Sequence, residues 1–387
     1  MPEGKTKTIE DADAGDVARE LSRLRGSIDA VDQEILAQLN RRAELVREVG
    51  RVKAGGRRSP VYVASRERDL VAALSASNPG PFPDAGIPHV FREIISATRS
   101  LEERVKVSYL GPEGTFSHQA VLAQFGSQVD LLPVRHMRDV VSAAERGEAH
   151  FGVIPVENSI DGAINPTMDA LMESEVVICG ELMVEVCQNL LSRSGALEDI
   201  RVVASIPQAV AQCRDWLASK LPATEVRDTP STAAAAQLAA EDGSVAAIGS
   251  AVAADVYGLR FVARGIEDRQ GNTTRFVVVG KETPEASGND MTSAAFTVRR
   301  DRAGALYTLL QPFAKHGVNL AAVQSRPMKG KPWEYVFFID MEGHQAQGEV
   351  AEALAEAAEY AHSYKILGSY PRASEPHQAQ VGGGAGS

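Results

Sequence analysis

Gly271-Asn272-Thr273-Thr274-Arg275-Phe276 runs directly into Val277-Val278-Val279-Gly280, setting hydroxyls, an amide and a guanidinium against a β-branched apolar run. Such a run is a buried strand, and it carries these polar groups into the interior at the strand's edge. Thr is also an ordinary strand former, so on this segment alone a loop entering a strand stands beside a chemical reading. Elsewhere, short apolar runs lead into Gly, Ser, Thr or Asn and then a helical pattern. These are Val105–Leu110 into Gly111–His118 (with Thr115), Phe151–Val156 into Glu157-Asn158-Ser159, Arg201–Ala204 into Ser205-Ile206-Pro207-Gln208, and Val245–Ile248 into Gly249-Ser250. Helix N-termini with free N–H groups and short hydroxyls are natural anion sites, so a cleft suited to a dianion is expected.

A second set of chemical groups lies near the N-terminus. Apolar residues recur at Leu21, Leu24, Ile28, Val31, Ile35, Leu39, Val46 and Val49, the stripe of one long helix over Leu21–Lys53 that Gly55-Gly56 ends. Arg42 and Lys53 fall inside that stripe, on one face and roughly 16 Å apart. Single cations snorkel to solvent, but two in the seam of one helix point to a buried anion. A helix of roughly 50 Å outreaches the two short helices that follow it, so it is expected to pair with a second copy in a dimer. Arg25 is about 100° round from Arg42 and would reach a site in the other copy. The short helices are expected from Ser65 as N-cap to Ala76, and from after Pro88 to Glu103.

The elements behind these groups imply several domains, as 387 residues exceed one core. Residues 17–104 read as all-α. Residues 105–284, with their repeated strand–turn–helix units, read as an α/β sheet with loops gathered at the strands' carboxyl ends. Residues 291–371 give βαββαβ, with strands at Ala294–Val298, Val318–Ser325, Glu334–Asp340 and Tyr364–Ser369 and helices at Arg302–Lys315 and Glu349–Ala361; that order is ferredoxin-like. Residues 1–16 and 372–387 read as disordered tails.

The net charge of −11 argues against general nucleic-acid binding, although residues 17–104 hold 15 basic against 12 acidic residues and are locally positive. Cys179, Cys187 and Cys213 have no metal-ligand or disulfide spacing and read as buried thiols of a reducing cytoplasm. The N-terminus has no signal-peptide core and no run is long enough to span a membrane. No dinucleotide or triphosphate loop, HExxH or GxSxG occurs, so neither cofactor nor metal is expected. His118 reads as structural, Trp216 as core, and Trp333 as an interface or loop residue.

With these residues in view, the chain resembles the bifunctional chorismate mutase/prephenate dehydratase family over Val17–Pro371. GPEGTFSHQA, PVENSIDGAIN, SIPQAVAQC and NTTRF resemble dehydratase motifs, and LRGSIDAVDQEIL…RRAELVREVGRVK resembles the all-helical mutases. Gly304-Ala305-Leu306 and Gln324-Ser325-Arg326-Pro327 resemble the ligand-binding signatures of the regulatory ACT domain. The resemblance implies a helical mutase dimer, a two-lobed dehydratase like a periplasmic binding protein, and an ACT domain binding L-phenylalanine, in a homodimer or tetramer. It implies that Arg25, Arg42 and Arg66 hold the carboxylates of chorismate, with Lys53 at the breaking ether bond and Glu67 on the ring hydroxyl. Thr98 and Glu102 fall at the remaining polar positions, and Glu102 must be protonated to donate to the ether oxygen, which burial would favour. For prephenate, Thr274 would protonate the leaving hydroxyl, supported by Arg275 or a chain of hydrogen bonds, with Asn158, Ser205, Gln212 and Thr115 around it. Ser205 and Gln212, seven apart, are expected on one side of a helix. Val63, Thr98 and Gln324 depart from the family pattern, where Asp, Ser and Glu are commoner. Rival readings are a non-catalytic amino-acid sensor, a dehydratase with a degenerate mutase domain, and a preference for arogenate.

Overall fold

A computed structural model describes residues 14–54, 62–298, 304–328 and 335–373. These divide into two compact units, one within Met1–Val61 and Ala97–Glu103, the other within Tyr62–Ser96 and Arg104–Ser387. The first unit is dominated by α1 (Ala14–Ala54), a single helix of 41 residues. It begins seven residues before Leu21, where Asp16–Arg19 and Glu20–Arg23 pairs at i,i+3 spacing extend it. The expected disorder therefore fails for Ala14–Asp16, while residues 1–13 and the Gly55-Gly56 stop lie outside the described residues. Leu21, Leu24, Ile28, Val31 and Ile35 are 44–59% exposed.

The second unit opens with α2 (Ala64–Ala76), which is capped by Val63 and not by Ser65; the Glu67 N–H closes the first turn on the Val63 carbonyl, leaving no capping role for a hydroxyl. α3 (Ile87–Arg99), which belongs to this unit up to Ser96 and to the first unit from Ala97, holds Pro88 at its second position, where the missing N–H costs nothing. It stops before the expected Glu103, although Glu102 and Glu103 N–H groups still bond the Arg99 carbonyl. Tyr62 anchors this segment, packing its ring 4.7 Å from Phe125 and 5.3 Å from Phe151.

The α/β region forms two lobes. The first contains β1 (Lys106–Leu110), α4 (Phe116–Phe125), β2 (Asp130–Val134), α5 (Met137–Arg146), β3 (Phe151–Asn158), β4 (Gly162–Ala163), α6 (Asn165–Glu173) and β5 (Val177–Glu185). The second contains β6 (Asn189–Ser192), β7 (Val202–Ser205), α7 (Pro207–Gln212), α8 (Arg214–Lys220), β8 (Glu225–Asp228), α9 (Thr232–Glu241), β9 (Val245–Gly249), α10 (Ala251–Tyr257) and β10 (Arg260–Ala263). β11 (Thr273–Gly280) then returns to the first lobe, whose sheet runs β2-β1-β3-β11-β5, while the second runs β10-β6-β9-β7-β8. The chain therefore crosses between the lobes twice, after β5 and after β10. Both crossings are tied together, since the Ile266 N–H bonds the Gln188 carbonyl at 2.8 Å.

The C-terminal domain comprises β12 (Asp290–Thr297), α11 (Ala305–Lys315), β13 (Leu320–Pro327), β14 (Tyr335–Glu342), α12 (Gly348–Tyr360) and β15 (Ser363–Pro371), with sheet order β13-β14-β12-β15. This is the expected βαββαβ arrangement, with elements shifted by a few residues. One face of its sheet packs on the first lobe, where Ala295, Val336, Phe338 and Leu367 share a core with Val277 and Val279 of β11. Arg372 and Ala373, expected to be disordered, bond Glu342 and Glu181. Trp216 packs against the core of the second lobe, as expected, while Trp333 lies outside the described residues. Burial pushes the thiols up, Cys179 and Cys213 to about 12 and Cys187 to about 11, as small apolar side chains would have it. No helix among the described residues is long and apolar enough to cross a membrane.

Candidate active site

Thr274 of β11 lies opposite Asn158 at the end of β3. The register slips between Arg275 and Phe276, which pair with Glu157 and Pro155 and leave Val156 as the extra residue of a bulge. Pro155 has no N–H to offer the ladder, and the carbonyls freed here are used elsewhere. Val156 accepts from the Ile164 N–H at 2.8 Å and Pro155 from Thr167 Oγ1 at 2.6 Å, so the start of α6 is stapled to the bulge.

The bulge aims Asn158 at Thr274. Asn158 Nδ2 donates to Thr274 Oγ1 at 2.9 Å and to Asn272 Oδ1 at 2.8 Å. Its Oδ1 accepts from the Ile160 and Asp161 N–H groups at 2.9 and 3.1 Å, which fixes the amide's orientation. Thr274 Oγ1 is thus an acceptor toward Asn158, and its own proton is available for another group. An N–H donated to a hydroxyl oxygen stabilises the charge left when that proton departs, the condition for a threonine to act as an acid.

The second lobe reaches this region from across the cleft. Gln208, at the start of α7, donates to Asp161 in the loop after Asn158. Ser250 Oγ donates to the Gly114 carbonyl at 2.7 Å and Tyr257 Oη to that of Glu113 at 2.9 Å. Gly114 has φ +84°, and a Cβ there would meet the Tyr257 ring at 2.8 Å, so glycine is required both by conformation and by this approach.

The other expected residues fare differently. Thr115 caps α4, accepting from the His118 N–H and donating to the Leu110 and Pro112 carbonyls at 3.2 and 3.1 Å, so its hydroxyl holds the turn. His118 is buried with Nδ1 accepting from the Gly114 N–H, and burial pushes its pKa down, in keeping with a structural role. Ser205 is the last residue of β7, not a helical residue, because Pro207 starts α7; its hydroxyl donates to the Ile248 carbonyl at 2.8 Å. The expectation that Ser205 and Gln212 share a helix face is corrected accordingly. Gln212 ends α7 and accepts from Gln188 at 3.0 Å, beside the crossings between lobes.

Arg275 is the larger correction. Successive strand residues point to opposite faces, and Arg275 turns from Thr274 toward the C-terminal domain. It donates to Glu181 and Asp340 at 2.8 and 2.5 Å and to Tyr370 at 2.8 Å. Burial opposes its charge, but Tyr370, Asp340 and Glu181 outweigh that and hold the guanidinium above its ordinary range. Thr274 therefore makes its hydrogen bond to Asn158, while Arg275 makes none to it and faces the other side of the strand.

Comparison with known proteins joins this cleft to the rest of the chain. Residues 24–103 match the family described as chorismate mutase type II, 107–284 prephenate dehydratase and 293–359 the ACT domain. The bifunctional chorismate mutase/prephenate dehydratase of Aquifex aeolicus is 44% identical over 358 residues, 92% of this chain and 98% of that protein. The chain belongs to the bifunctional chorismate mutase/prephenate dehydratase family. A prephenate dehydratase from Arthrobacter aurescens, solved in complex with L-Phe, is 34% identical with a TM-score of 0.64, covering 69% of this chain and 90% of that one. A structure described as a novel type of quorum quenching acylase reaches the same TM-score at 30% identity, over 70% of this chain and 98% of its own. Fold alone does not choose between such activities, whereas the match over all three domains does. The chain carries both the mutase and the dehydratase.

Within the mutase domain, Arg42 of α1 donates to Thr98 of α3, and Lys53 pairs with Glu102 at 3.0 Å. Both contacts lie in the first unit. Arg25 is exposed on α1; Arg66 is exposed and Glu67 half-buried on α2 of the second unit. In the ACT domain, Gly304 caps α11 with φ +81° and no crowding, so conformation alone asks for glycine there. Ala305 opens that helix and Leu306 packs on the domain's core. Ser325 is exposed, while Gln324 Oε1 is buried without a partner among the described residues. Arg326, expected at the effector site, is paired with Asp169 of the dehydratase domain at 2.7 Å. The Arg326 side chain is partly buried, and α6 supplies its carboxylate partner.

Asn272, Asp161 and Gln208 escaped the sequence reading. Asn272 stands two residues before Thr274, just ahead of β11, and the period of two of an extended chain was a signal for it. Asn158→Asp would replace its N–H donors by carboxylate oxygens facing Asn272 Oδ1 and Thr274 Oγ1. The expected result is a loss of phenylpyruvate formation of roughly 100-fold or more, the size seen when one preorganised donor is removed. Steady-state rates beside a thermal melt would check it; a variant with the wild-type rate would leave Asn158 without a role.

Proposed function

We propose that Thr274 protonates the departing ring hydroxyl of prephenate, with Asn158, itself held by Asn272, donating to the threonine oxygen. The ring C–O bond breaks as the proton moves from Thr274 to the leaving oxygen, giving water. The electrons of the C–CO2 bond enter the ring as carbon dioxide departs, and aromatisation drives both events. Thr274 recovers its proton from solvent. The observation that carries this reading is the donation from a fixed Asn158 amide to Thr274 Oγ1, which leaves the threonine proton directed elsewhere. Ser205, Gln212 and Thr115 then shape the cleft and hold its turns.

For the mutase, the reading places Arg42, Lys53, Arg66, Glu67, Thr98 and Glu102 around chorismate, with Arg25 supplied by a second copy. The exposed apolar stripe of α1 supports a homodimer built along that helix, and a tetramer is compatible with it. Domain limits of 17–104, 105–284 and 291–371, a cytoplasmic location, and L-phenylalanine as effector at the ACT domain complete the proposal; the last draws on the L-Phe complex of the Arthrobacter relative.

Incubating the pure protein with chorismate, with and without phenylalanine, and separately with prephenate or arogenate, tests both activities, the substrate and the effector. Prephenate should appear transiently, phenylpyruvate should follow, and phenylalanine should slow the second step. Conversion of arogenate faster than prephenate would overturn the substrate assignment, and equal rates with and without phenylalanine would overturn the effector.

A further inference from the structure

Three donors of Arg275 are each committed to a different residue, and two of these belong to the ACT domain: Asp340 on β14 and Tyr370 on β15. The third, Glu181, lies on β5 beside β11. Every acceptor in the cluster is further satisfied. Ser293 Oγ donates to Asp340 Oδ1 at 2.5 Å and shares a 2.6 Å bond with Tyr370 Oη, and the Ala373 N–H donates to Glu181 Oε1 at 2.8 Å. The partner of Thr274 is tied down in the same manner. The chain leaving Asn158 forms β4 and then α6, and Arg326 donates to the Asn165 carbonyl and Asp169 of α6, each at 2.7 Å. Lys365 of β15 donates to the Leu171 carbonyl at 2.7 Å and to that of Ser174, at the other end of the helix, where a cation suits the dipole. β11 itself, and the α6 helix that follows β3 and β4, thus have charged attachments to the ACT sheet.

We propose that Arg275 is a positioning residue for dehydration, through which Asp340 and Tyr370 of the ACT domain hold β11 so that Thr274 stays aimed into the cleft. A strand cannot roll about its axis to re-aim Thr274 without drawing Arg275 out of a satisfied, buried cluster. The proposal rests on Thr274 as the proton donor; should that reading fail, it will be seen separately, as a Thr274→Ala variant that still makes phenylpyruvate.

The test uses the full chain with prephenate as substrate, and its own mutase rate on chorismate as internal control. Tyr370→Phe removes one hydroxyl remote from the cleft and should lower dehydratase kcat by about 3- to 10-fold with KM within about twofold. Arg275→Gln should lower kcat by roughly 30-fold or more, Arg275→Lys should restore part of that, and adding Tyr370→Phe to Arg275→Gln should cost nothing further, as for residues acting as one unit. Wild-type kcat in Tyr370→Phe and Arg275→Lys would overturn the proposal. So would losses that multiply in the double variant, or a mutase rate that falls in step with dehydration.

Discussion

Thr274→Ala is expected to lower phenylpyruvate formation by roughly 100- to 10,000-fold, the range for loss of a positioned proton donor, while prephenate continues to accumulate from chorismate. The substitution removes a hydroxyl whose oxygen already accepts from Asn158 at 2.9 Å, so one Asn158 N–H is left without a partner. That costs about 1–3 kcal/mol of local stability, which the fold should survive. Thr274→Ser keeps the hydroxyl and loses only the methyl group that fixes its rotamer, so it should retain a measurable part of the rate. The ordering Thr, then Ser, then Ala, with KM for prephenate little changed, would mark a role in the chemical step. Equal activity of the Ser and Ala variants would mean that the hydroxyl is not the donor. Parallel loss of mutase activity would mean that the two reactions do not have separate sites.

Much of this geometry could be read before any coordinate. The alternation of short apolar runs with Gly, Ser and Asn turns foretold the α/β lobes because each run is buried on both faces, and the βαββαβ order of residues 291–371 followed from periodicity alone. The opposite facing of Thr274 and Arg275 was also available, since a strand's period is two. What was hidden is partnership. Asp340 and Tyr370 stand 65 and 95 residues beyond Arg275, and Asp169 stands 157 residues before Arg326, so no local pattern announces them. Resemblance to the ACT signature places Arg326 at the effector site, and that local motif says nothing of Asp169. Ser205 was misplaced by a smaller margin: a strand end and a helix start two residues apart look alike in sequence, yet one puts the hydroxyl on the Ile248 carbonyl and the other would put it on a helix face. The bulge at Val156, which aims Asn158, depends on pairing with a strand over 100 residues away and left no mark beyond Pro155.

Lys53 and Glu102 give the mutase its sharpest test. They pair at 3.0 Å with both side chains mostly buried, so an ether oxygen placed against them meets an ammonium with three donors and a carboxyl group. The rearrangement needs no proton transfer, only charge complementary to a transition state in which that oxygen gains electron density. Lys53→Ala should therefore lower prephenate formation by roughly 100- to 1,000-fold and leave the turnover of supplied prephenate untouched. Glu102 works differently, as the counter-ion that holds Lys53 in place at 3.0 Å. Glu102→Gln keeps the shape and removes the charge, so it should lower prephenate formation by roughly 10-fold or more and leave the turnover of supplied prephenate unchanged. A Glu102→Gln variant with the wild-type mutase rate would leave the ion pair without a part in the reaction.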